Sequence, residues 1–88
     1  MIATMKISYK NIKVNVIDED YAQYIYDMLD HGKKQSEAYP WGLFIIPYED
    51  GSYVAIDNTA EAFTEAFDSL EYALKWLDGD FEVCEVAQ

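Results

Sequence analysis

Nearly all the residues of this chain that could do chemistry are carboxylates. Seventeen Asp and Glu stand beside six lysines, one histidine and one cysteine. Carboxylates alone can shuttle protons or hold a hard cation such as Ca²⁺ or Mg²⁺. The run Asp18-Glu19-Asp20 lacks the alternate spacing and the glycine of a calcium loop. Glu61 and Glu65 could both meet Asp57 across a strand turn, but a carboxylate pair cleaves glycosides only inside a substrate cleft. An 88-residue chain without cleft-forming loops offers none. His31 and Cys84 stand 53 positions apart, so neither a nucleophile–base pair nor a zinc cluster is indicated. His31 reads as a dipole-matched residue in a last helical turn, and Cys84 as a small apolar strand residue. The expectation is a non-enzyme with no catalytic residue, no metal and no cofactor.

What remains is charge. The net charge is −11, and the six basic residues include no arginine. A nucleic-acid binder needs Lys and Arg to neutralise phosphates and Arg to read bases, so direct nucleic-acid binding is not expected. An anionic membrane would repel the chain, whereas a basic protein would attract it. The charge is also uneven. Residues 1–17 carry three lysines and no acid; residues 18–88 carry all 17 acids and three lysines, a local net of −14. Acidic surfaces are also common in small proteins that simply stay dispersed.

The elements that must position these groups follow from periodicity. Apolar residues make up 51% of the chain, enough for one small core and too many for a disordered acidic tail. One domain, 1–88, is expected. Met5, Ile7 and Tyr9 alternate on odd positions and Ile12, Val14 and Val16 on even ones. A two-residue turn at Lys10-Asn11 would pair them as Tyr9–Ile12, Ile7–Val14 and Met5–Val16; a single bent strand is the alternative. Asp18 is placed to cap a helix over 19–31, with Tyr21, Ala22, Ile25, Met28 and Leu29 inward. Its outer half carries Glu19, Asp20, Gln23, Tyr24, Tyr26, Asp27 and Asp30. Gly32 ends it, and GKKQSEAYPWG reads as a loop.

LFIIPY and YVAID flank Asp50-Gly51, a hairpin turn signal. A two-residue turn there pairs Tyr48 with Tyr53, Ile46 with Ala55 and Phe44 with Asp57. Tyr48, Tyr53 and Phe44 would then share one face, exposed if the helices cover the other, core if they do not. Trp41, in Tyr-Pro-Trp-Gly, is ambiguous in the same way. Asp57-Asn58 ends the strand, where both side chains can bond the local backbone. AFTEAF alternates as a third strand, and Asp68-Ser-Leu-Glu71 is a capping-box pattern with Asp68 as the cap. A helix ending near Gly79 and a last strand, FEVCEV, complete an α+β domain of order ββ-α-βββ-α-β, an antiparallel sheet with two helices on one face.

The run GSYVAIDNTAEAFTEAFDSLEYALKWL resembles a pattern in small acidic proteins of bacteriophages and other mobile elements of Gram-positive bacteria. The matching positions are Gly51, Tyr53, Asp57, Asn58, Glu65, Phe67, Ala73, Trp76 and Leu77, across about a third of the chain. The resemblance implies a setting in which proteins of this size and charge act against host defence, as anti-CRISPR or antirestriction inhibitors that imitate DNA. It carries the expectation of an acidic decoy for the basic groove of a host effector nuclease. The candidate contacts are Asp20, Tyr24, Asp27, Asp30, Tyr48, Glu49, Asp50, Tyr53, Asp57, Glu61 and Glu65. The alternative is an accessory interaction module that binds through the aromatic hairpin face. The N-terminus has no apolar signal-peptide core and no apolar run is long enough to span a bilayer. A cytoplasmic monomer or dimer in the bacterial host is therefore expected.

Overall fold

A computed structural model describes residues 5–79. The strands are β1 (Met5–Tyr9), β2 (Ile12–Val16), β3 (Gly42–Pro47), β4 (Tyr53–Asn58) and β5 (Phe63–Phe67). The helices are α1 (Glu19–His31), between β2 and β3, and α2 (Leu70–Leu77), after β5. The fold is α+β, in the expected order as far as residue 79; the expected strand FEVCEV lies outside the described residues.

The first hairpin forms in the register the alternation dictates, Met5 opposite Val16, Ile7 opposite Val14 and Tyr9 opposite Ile12. Its two-residue turn forces Lys10 into the left-handed region, at φ 53°. The five strands then lie side by side in sequence order. Every neighbouring pair is antiparallel except β2 and β3, which run parallel, Asn15 beside Phe44 and Val16 beside Ile45. That pair must be parallel because α1 and its following loop carry the chain back to the end where β2 began.

The helices cover opposite faces of the sheet, not one face. Ala22 and Ile25 of α1 pack with Phe44, Ile46 and Ile56. Ala73, Leu74, Trp76 and Leu77 of α2 pack with Val14, Leu43, Ile45, Ala55 and Phe67. The cause is visible in β3: Leu43, Phe44, Ile45 and Ile46 are all buried, so both faces of this strand need a cover. An unbroken apolar run is the signature of a strand buried on both sides.

The second hairpin differs from expectation by one residue. Pro47 lies opposite Tyr53, Ile46 opposite Val54, Ile45 opposite Ala55, Phe44 opposite Ile56 and Leu43 opposite Asp57. The turn holds three residues, not two. Tyr48 N–H donates to Ser52 O (2.9 Å), Gly51 N–H donates to Tyr48 O (3.1 Å), and Gly51 takes φ 92°. This is a turn closed by a glycine bulge, the common three-residue hairpin loop. A one-residue slip moves a strand's side chains to the other face relative to its partner. Tyr48 therefore packs on the α1 side and Tyr53 on the α2 side, and the single aromatic hairpin face does not form.

Both helix starts are capped by side-chain oxygens. Asp18 Oδ1 accepts from Tyr21 N–H at 2.8 Å, as its type and place foretold. For α2 the cap is Ser69, whose Oγ accepts from Tyr72 N–H at 3.2 Å, one residue beyond the expected Asp68. Both residue types cap well, so the choice between adjacent candidates falls to how the chain leaves β5.

Candidate functional site

The candidate residues fall into four groups. Asp20, Tyr24, Asp27 and Asp30 are on α1, and each is at least partly exposed. The three aspartates sit seven and three residues apart, hence on one side of the helix and about 10 and 4.5 Å apart along its axis. Tyr24 stacks on Tyr21 with ring centroids 5.4 Å apart, and its hydroxyl donates to Ala38 O at 3.4 Å. Asp27 accepts from Gln23 Nε2 at 3.5 Å, a long contact that leaves its carboxylate largely available.

Glu49 and Asp50 are at the tip of the second hairpin. Asp50 Oδ1 accepts from Ser52 N–H (2.9 Å) and from Ser52 Oγ (2.6 Å). These bonds, the hydroxyl one foremost, hold the carboxyl below the usual aspartate range. Asp50 is thus committed to its turn through one oxygen. The tip lies at the same end of the sheet as the start of α1. An open cleft of about 460 Å³ there is bordered by Asp18, Glu19, Asp20 and Glu49 over Met5 and Pro47. Neither sequence spacing nor charge counting brings Asp20 and Glu49 together; the parallel β2–β3 pairing does.

Asp57 and Glu61 belong to the opposite end of the sheet, Glu65 to the middle of β5, and Asp57 and Glu65 to the opposite face. Asp57 is paired across the ladder with Phe63, and Glu65 with Ala55, so both carboxylates project on the α2 side, on diagonal positions. Glu61 lies in the turn before β5 and is exposed. Asp57 Oδ1 accepts from Thr59 N–H (3.2 Å) and Thr59 Oγ1 (2.8 Å), a side-chain-closed turn. Its role is local structure. Asn58 is the unusual member of the pair. It is 0% exposed, and its Nδ2 donates to Pro40 O at 2.6 Å. Its Oδ1 has no hydrogen-bond partner among the described residues.

Tyr48 and Tyr53 are both half-buried, one on each side of the sheet. Tyr48 meets Tyr26, which helical spacing places on the outer half of α1. Tyr26 instead packs against the α1-side core, and burial, followed by the neighbouring Tyr48 hydroxyl, pushes its phenol up to about 12. The missed signal is the width of the buried stripe. Tyr21, Ala22, Ile25, Tyr26 and Leu29 follow an i, i+1, i+4, i+5, i+8 pattern, which is the broad stripe of a helix lying on a sheet.

Among the described residues no three His, Cys, Asp or Glu side chains are grouped to hold a metal ion. His31 is exposed in the last turn of α1, and Cys84 lies outside the described residues. No described helix is long and apolar enough to cross a membrane. Comparison with family models finds no match, and comparison with curated proteins and with solved structures finds none either.

Proposed function

We propose that this protein is a non-enzymatic inhibitor that presents its carboxylates to a basic, nucleic-acid-binding groove of a host defence nuclease, in the cytoplasm of a bacterial host. The observation that carries this reading is the row of free carboxylates on α1. Asp20, Asp27 and Asp30 lie on one side of a rigid helix, in a chain of net charge −11 with no arginine. Phosphates on one DNA strand advance about 3.4 Å of helix axis per step. Of the axial intervals of the three aspartates, the one of about 10 Å corresponds to roughly three steps, and the one of about 4.5 Å exceeds one step by about a third. Glu49 extends the row past the start of the helix, across the acidic cleft. A groove lined with Lys and Arg responds to oxyanions in such positions whether phosphorus or carbon bears them.

Asp57 and Glu65 sit on the α2 side and cannot share one flat contact with the α1 row. The contact is therefore centred on α1 and the hairpin tip. The test is binding to a purified RNA-guided nuclease at increasing salt. Affinity falls at least tenfold between about 50 and 200 mM salt if several charge pairs form. The combined change Asp20→Asn, Asp27→Asn and Asp30→Asn weakens binding and flattens that dependence. Affinity indifferent to salt would remove the mimicry reading.

A further inference from the structure

On the α1 side, where the loop before β3 passes over the sheet, aromatic rings line a second cleft. Tyr21, Tyr39, Trp41 and Phe44 form its walls, Asn15 and Pro40 contribute to its rim, and its volume is about 270 Å³. That lies just below the range of pockets for small organic ligands, about 300–1,000 Å³, and suits one long side chain. The rings are firmly set. Tyr39 and Phe44 are buried, and Tyr39 meets Trp41 edge-on with centroids 4.7 Å apart. Trp41 is open, at 45% exposure, and presents a large apolar surface at the mouth of the cleft. Asn15 donates through Nδ2 to Leu43 O at 3.2 Å, which leaves its carbonyl oxygen as an acceptor at the rim.

Aromatic faces attract cations, Arg guanidinium more often than Lys ammonium, because the ring quadrupole is negative above the plane. This tryptophan already serves so: Lys34 Nζ stands 5.9 Å from the centre of the Trp41 ring. We infer that the cleft is an anchoring site for an arginine side chain of a basic protein partner, its guanidinium packing on the Trp41 ring that Lys34, outside the cleft lining, also approaches. The inference gives the basic partner proposed above one specific anchor and rests on that reading for the partner's sign. The net charge of −11 draws such a partner in.

The test uses the isolated chain, so that its outcome is separate from the salt dependence of nuclease binding. N-acetyl-arginine amide is titrated into ¹⁵N-labelled protein beside N-acetyl-citrulline amide, which has nearly the same shape and no charge. The expected result is saturable shifts at amides 38, 39 and 41–44 and at the Trp41 indole with the arginine probe, and none with citrulline. Trp41→Ala weakens binding by about fivefold or more, with the strand amides unmoved. Lys34→Gln, which removes a like charge beside the Trp41 ring and does not touch the core, tightens it. Equal response to citrulline, shifts confined to the α1 carboxylates, or weaker binding in Lys34→Gln would each overturn the assignment.

Discussion

Asn58→Asp is the sharpest probe of how the loop before β3 is held on the sheet. The change exchanges an amide NH₂ for an oxygen and leaves the shape of the side chain almost untouched. Asn58 Nδ2 donates to Pro40 O at 2.6 Å, and the residue is wholly buried. An ionised carboxylate at this position would set two acceptors face to face. It would also bury a charge where the described residues give Oδ1 no donor. The Pro40 carbonyl, left without its donor, costs about 1–3 kcal/mol. The charge is costlier, so the group keeps its proton instead. Burial raises a carboxyl by up to about 3–5 units, each about 1.4 kcal/mol. Holding that proton at pH 7, about three units above the unfolded value, costs about 4 kcal/mol, a large part of the stability of a domain this small, about 5–15 kcal/mol at best. The sign follows from linkage. The folded-state pKa of the introduced carboxyl is raised, so the penalty is absent below its unfolded value of about 4 and grows as pH rises. In its protonated form that carboxyl can donate to Pro40 O and restore the bond. Thermal unfolding followed by circular dichroism at about pH 4 and about pH 7, with Asn58→Ala as reference, separates the effects. Asn58→Ala loses a similar amount at both pH values, whereas Asn58→Asp approaches the parent at low pH and is far less stable at neutral pH. If Asn58→Asp tracks Asn58→Ala at both, Asn58 is not the buried, under-bonded clamp described above.

Three further outcomes follow from the local geometry. Lys10→Gly relieves the positive φ of the first turn and raises stability by about 0.5–1 kcal/mol in denaturant unfolding. Ser69→Ala removes the cap of α2 and costs about 1 kcal/mol, whereas Asp68→Ala costs much less in the same assay. The phenol of Tyr26, raised from 10.0 to about 12, favours the folded state below the lower value, and that advantage disappears as pH rises towards the upper one. Ultraviolet titration of Tyr48→Phe should show Tyr26 ionising at lower pH than in the parent, because one of the groups that hold its proton is gone.

The strands and α1 are legible in the sequence because their patterns are dense. Six alternating apolar residues dictate the first hairpin register, and Asp18 ahead of an amphipathic run dictates the start of α1. What is not legible depends on single residues or on tertiary cover. Asp50-Gly51 is compatible with a two-residue turn or with the last two residues of a three-residue loop, and only the pairing of Tyr48 with Ser52 decides. That one residue dissolves the aromatic hairpin face and sends Tyr48 and Tyr53 to opposite sides. The run LFII has no alternation and so asks for cover on both sheet faces. Helical amphipathicity alone does not say which face each helix takes, and a single helical layer satisfies it equally well. Of the candidate site, the acids of α1 are readable from helical spacing. The cleft joining Asp20 to Glu49 is not, because it arises from a parallel strand pairing.

The separation of β1 from β5 bears on what a partner can sense at a distance. These outer strands are four spacings apart, about 19 Å. Lys6 on β1 and Lys13 on β2 occupy one margin, and Glu65 on β5 the other. At physiological ionic strength fields decay over about 8 Å. An approaching basic surface therefore feels the acids nearest to it more strongly than the net charge of −11 as a whole. It is repelled by Lys6 and Lys13 and drawn by the acids of α1, the hairpin tip and Glu65, so the molecule is turned before it is touched. Diluting the salt to about 0.01 M lengthens the reach to about 30 Å, close to the protein's own length of 36 Å. At that point acids all round the molecule add to the pull, and attraction and orienting torque strengthen together. Oriented capture of a basic partner should thus be best at low salt and fade as salt rises.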